Sequence, residues 1–179
     1  MENKKMISLY ELSVTNYDRV LGATIRFMQK SATHFQQAGQ DLDEIVNMQL
    51  APDMFPFTFQ INSVRHHSLH AARGILAGEF TTPDPLPKMD YHGLVELLEV
   101  AKEDLKTIHP EELEARSGLP VLFKMGSMEI PFTAENFVQC FSLPNLYFHT
   151  TTTYDMLRMK GAPIGKTDFM GRMKIGLDP

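Results

Sequence analysis

The chain has 179 residues with a formal charge of −5, 43% apolar and 22% charged residues, enough for one folded domain that buries its core without disulfide or metal staples. An acidic balance excludes a general nucleic-acid binder, which needs a basic face to neutralise phosphates. The single cysteine, Cys140, excludes an intramolecular disulfide framework, and no apolar run reaches the roughly 20 residues that cross a bilayer.

Met1 to Tyr10 holds lysines but no apolar stretch of signal-peptide length, so a cytoplasmic protein without membrane association is expected. Apolar residues then recur by threes and fours from Tyr17 through Phe35, predicting a helix over 14–38 that Gly39 ends. Asp41 to Met48 reads as a short helical turn. After Pro52 and Pro56, a second long helix is predicted over 56–76, its stripe running through Phe57, Ile61, Val64, Ser68, Ala71, Ala72 and Ile75. Gly78 closes it, and Pro83, Pro85 and Pro87 make a stiff, non-helical crossing.

A third helix is predicted over 91–108, with Leu94, Leu97, Leu98, Ala101 and Leu105 inward. Two apolar runs flank Gly126-Ser127 within 121–132, the pattern of a small β-hairpin, which must lean on the helices because two strands alone are marginal. Thr133 offers a cap for a fourth helix over 134–160, with an irregularity at Pro144. Phe137, Val138 and Phe141 surround Cys140, which is expected to pack as a small hydrophobe. The Gly-rich tail from Gly161 is expected to be extended. This order predicts an all-α four-helix bundle in a single domain, 1–179, with a hairpin before the last helix.

Histidine is the chemistry-bearing residue here. His66 and His70, four apart on the second helix, could clamp a metal, but they lean toward the flank of the apolar stripe and read as exposed. His67, between Val64 and Ala71, lies closer to the core and needs a partner from a facing helix. His149 on the fourth helix has Asn145 and Thr153 as neighbours a turn away, a polar seam consistent with a pocket wall. The hydroxyls of Thr150 to Thr153 can bond back to the carbonyl a turn earlier. Asp155 can pair with Arg158, three residues on. His34, His92 and His109 read as exposed. No Ser-His-Asp spacing, Gly-rich phosphate loop, HExxH or CxxC pattern is present.

The segments Leu143-Pro144-Asn145-Leu146-Tyr147-Phe148-His149, Thr152-Thr153-Tyr154, Gly161-Ala162-Pro163-Ile164-Gly165-Lys166 and Asp168-Phe169-Met170-Gly171, with Leu50 to Pro56 and His67, resemble an uncharacterised branch of the DinB/YfiT-like putative metalloenzymes. The resemblance implies a four-helix bundle, often a homodimer. It also implies a nickel or zinc ion held by one histidine from the second helix and two, four residues apart, from the last. His67 and His149 match two of those positions, and the third falls on Thr153. Relatives with activity are thiol-dependent transferases or isomerases. Two readings follow: a metal-dependent enzyme with Asp53 or Asp155 completing the shell and Tyr154 lining the pocket, or a metal-free bundle that binds a small ligand or dimerises. No catalytic residue can be named from either.

Overall fold

The computed structural model describes residues 7–173, 175 and 176. The chain opens with α1 (Leu9–Leu12), where Ser8 and Glu11 cap each other reciprocally. Next come α2 (Val14–Gln37) and the short α3 (Leu42–Val46), capped by Asp41. The second long helix is composite: α4 (Phe57–Arg65), a π-helical turn π1 (His66–His70) and α5 (Ala71–Ala77). Gly78, at φ +77°, takes the left-handed conformation that ends it.

The Pro-rich crossing is preceded by a strand that sequence periodicity did not reveal, β1 (Glu79–Thr81). Then follow α6 (Tyr91–Leu105), capped by Asp90, and a further unanticipated turn, α7 (Pro110–Glu114). Strands β2 (Pro120–Met125) and β3 (Met128–Thr133) pair antiparallel around Gly126-Ser127, with Met125 opposite Met128. β1 adds to β2 in parallel, Phe80 opposite Phe123, so among the described residues the sheet has three strands rather than the two expected. That third strand answers the marginal stability of an isolated hairpin.

The last long helix is also composite: α8 (Ala134–Asn136), π2 (Phe137–Ser142) and α9 (Leu143–Met159). Its irregularity precedes Pro144 directly. A proline within a helix lacks the N–H and crowds the carbonyl four residues back, and a π-turn, where the Leu143 N–H reaches Val138 O, widens the coil there. The tail is not wholly extended: α10 (Lys166–Met170) docks on α2 through Lys30–Asp168 and an Arg19 Nη1 bond to Met170 O of 3.1 Å.

α2 packs on α6, α6 on α4, α4 on α9 and α9 on α2. They carry the fully buried rings of Tyr17, Phe27, Phe35, Phe57 and Tyr91, while Phe137, equally buried, packs against Phe80 and Phe132 of the sheet, each ring worth on the order of 2 kcal/mol of apolar burial. Cys140 departs from expectation, being exposed while Phe137 and Val138 are buried. It sits on the outer side of the π2 coil, whose phase differs from that of an α-helix. No helix among the described residues is long and apolar enough to cross a membrane.

Candidate functional site

His67 on π1 and His149 on α9 are brought face to face, their rings nearly parallel (9°) with centroids 5.8 Å apart. A short relay orients His149. The Gln60 side-chain amide donates to Phe55 O (3.0 Å), which turns Oε1 toward His149 Nδ1 at 2.8 Å. Since Oε1 can only accept, Nδ1 carries the proton and Nε2 keeps the lone pair. Gln60 was not singled out from sequence, although it is a polar residue between Phe57 and Val64 on the apolar stripe, which was signal enough.

His67 is 7% exposed, and its Nδ1 is buried without a hydrogen-bond partner. Its backbone carbonyl accepts from Ser142 Oγ (2.9 Å), and Ser142 Oγ lies 2.7 Å from Tyr17 Oη. π1 and π2 therefore meet through one hydroxyl. Neither Ser142 nor Tyr17 carried a sequence signal for this role.

His66 corrects the sequence reading, since it is 4% exposed rather than on the open flank. β1 explains this: the strand covers that flank, with the Phe80 ring 4.3 Å from the imidazole, while His66 stays in α-helical phase with α4, its N–H bonding to Asn62 O. Its Nε2 donates to Thr81 O (2.7 Å), leaving Nδ1 as acceptor 3.3 Å from His70 Nδ1. His70 itself is half-buried.

Burial pushes His67 down to about 3, with the neighbouring His66 and His149 adding to the shift. It pushes His149 down to about 4, and His66 to about 4 against the opposing bond to Thr81. Burial likewise lowers His70. His66, His67 and His149 are therefore neutral imidazoles at neutral pH. Aromatic rings surround them: Phe59 and Phe148 approach His149 at 5.9 and 5.2 Å, Phe55 stacks on Phe59 at 4.3 Å, and Phe141 and Phe80 each lie 5.7 Å from His67. Phe55 and Phe148 are more than half exposed beside the site.

The remaining sequence-predicted residues do not join the pair. Asp53 and Asp155 are exposed, and Arg158 donates to Ala162 O (2.8 Å) with no ion pair to Asp155 among the described residues. Tyr154 packs against Phe27 and Phe169, its hydroxyl 3.4 Å from Ile164 O. Thr153 is fully buried and donates to His149 O at 2.8 Å; Thr152 does the same to Phe148 O, whereas the Thr150 hydroxyl is buried without a partner. A catalytic zinc-type centre takes three protein ligands at about 2.0–2.1 Å for imidazole nitrogen. Two imidazoles are present, the hydroxyl at the third position is spent on its own helix, and no group of three or more His, Cys, Asp or Glu could hold an ion among the described residues. The donor set does not fit a three-ligand metal centre.

The fold is that of the DinB class: it is similar to the crystal structure of a DinB family member protein from Shewanella denitrificans, with a TM-score of 0.76 and 22% identity, covering 95% of this chain and 96% of that one. The model of the family described as a domain of unknown function (DUF1993) matches residues 9–170, and the chain belongs to that family. No curated protein matches it.

Proposed function

We propose that the protein is a DinB-like four-helix bundle that keeps the His67–His149 pair as a neutral, aromatic-rimmed binding centre for a small ligand, in place of a resident metal centre. The closed ring of α2, α6, α4 and α9 supports the bundle. The observation that carries the reading is the Thr153 hydroxyl donating to His149 O at 2.8 Å. It occupies the third-ligand position with a group turned away from the pair. A ligand would take its polar contact from His149 Nε2 and lay its apolar part against Phe59 and Phe148. Thiol activation of the kind implied by resemblance needs an ion, so thiol transfer is not expected of this chain.

The alternative is a weakly held nickel or zinc ion on His67 and His149, completed by water. The buried, unpartnered His67 Nδ1 and the neutral state of both rings favour it. Elemental analysis of protein purified without chelator separates the two. Well under one ion per chain, unchanged in His67→Ala, is expected; one ion per chain that disappears in His67→Ala overturns the proposal. A cytoplasmic homodimer, implied by composition and resemblance, belongs to the same proposal, and light scattering in solution tests its dimeric part.

A further inference from the structure

A cavity of about 880 Å³ opens along α2, near the end of α6 and the segment after α10, and it shares no lining residue with the histidine pair. Its volume is that of sites holding small organic ligands, about 300–1,000 Å³. In a chain of net charge −5, its wall is net positive: Arg19, Arg26, Lys102 and Arg172 against Glu11 and Asp18.

Most of these charges are already engaged. Lys102 pairs with Asp18, Glu11 caps Ser8, and Arg19 donates to Met170 O. Arg26 and Arg172 have no carboxylate partner among the described residues. Two glycines make the slot for Arg26. A Cβ on Gly22 would stand 3.3 Å from Arg26 Nη1, and one on Gly171, at φ +65°, would stand 3.0 Å from Arg26 Nη2. Leu12, Met170 and Met173 supply an apolar wall beside these cations.

We propose that this cavity binds a small amphipathic carboxylate, its head held by Arg26 and Arg172 and its tail lying on Leu12, Met170 and Met173. The planar guanidinium fork matches a carboxylate edge with two parallel hydrogen bonds, and Met side chains adapt to a flexible tail.

Calorimetric titration of the full chain with decanoate tests this, with decanol and acetate as controls. Decanoate is expected to bind at least about tenfold more tightly than either control, and the double variant Arg26→Ala/Arg172→Ala to lose at least about tenfold of that affinity. Arg73→Ala, which breaks an exposed pair with Asp104 elsewhere, is expected to bind as the parent does. Should the double variant lose its helical circular dichroism, Arg172→Gln alone, at an exposed position, carries the same comparison. No binding of decanoate, equal binding of decanol, or undiminished binding by the arginine variants overturns the proposal.

Discussion

The Ser142 hydroxyl donates to the His67 carbonyl across 2.9 Å, joining the π-turn of one composite helix to the π-turn of the other. Tyr17 Oη, fully buried on α2 and 2.7 Å from the same oxygen, makes this a three-helix junction. Burial raises the Tyr17 phenol well above its ordinary range, so it stays protonated. The junction sets where His67 stands relative to α9.

Ser142→Ala leaves the His67 carbonyl and the Tyr17 hydroxyl buried without their partner, so a loss of roughly 1–3 kcal/mol is expected in urea unfolding. Tyr17→Phe keeps the bond to His67 and should cost less than Ser142→Ala. Equal midpoints for Ser142→Ala and the parent would show that the junction contributes nothing.

Acid should unfold the protein through its histidines. Folding depresses His66 and His149 to about 4 and His67 to about 3, against about 6.5 in an unfolded chain. A depressed pKa means that the unfolded state binds more protons in this window. Stability is therefore full above pH ~6.5 and lost as pH falls through 6 and 5 toward 4, by up to about 2 kcal/mol per histidine at pH 5 and less than additively for neighbours. Guanidinium midpoints at pH 7.5 and 5 measure this, and His66→Gln should flatten the dependence. A pH-independent midpoint above pH 5 would contradict the assignment.

Thr153→His places an imidazole four residues after His149, on the same helix face. Nickel affinity, followed by spectroscopic titration, is expected to rise at least about tenfold over the parent and to collapse again in His67→Ala/Thr153→His. A Thr153→His protein that folds but binds nickel no better would show that His67 and His149 are not placed to share an ion with that position.

Gly74 offers a test of sign. On an exposed helix Gly→Ala would stabilise by about 1 kcal/mol. Here a Cβ would lie 2.9 Å from Phe80 Cδ2 and 3.0 Å from Glu79 O, so α5 and β1 must separate. Gly74→Ala is therefore expected to destabilise, by roughly 1–3 kcal/mol, as read from its thermal midpoint; a raised midpoint would show that β1 yields freely.

The long helices were legible because residues such as Leu94, Leu98, Ala101 and Leu105 mark one face with a regular stripe, and the hairpin because Gly126-Ser127 sits between two short apolar runs. The π-turns were not legible. One added residue hardly perturbs a stripe, and what holds π1 in place is a hydroxyl 75 positions away in sequence. His66 is misplaced for another reason, since the strand that covers it is itself illegible. β1 was hidden because three residues carry no period and acquire a strand's identity only from Leu122 to Lys124. Of the candidate site, the two histidines that the fold brings face to face, His67 and His149, are the two that helix face and resemblance single out. Asp53 and Asp155 are exposed, as short carboxylates near helix ends commonly are, and sequence spacing alone could not set them apart from ligands.

The parallel pairing of β1 with β2 bears on the order of assembly. An antiparallel hairpin closes locally, but Glu79–Thr81 must wait for α6 and α7 to be made and folded back before β2 arrives. Thr81 supplies the carbonyl that accepts the hydrogen bond from His66 Nε2–H. On a growing chain His66 therefore stays open to water until β2 has emerged, and His67 waits longer still, for Ser142 and His149 of the last composite helix.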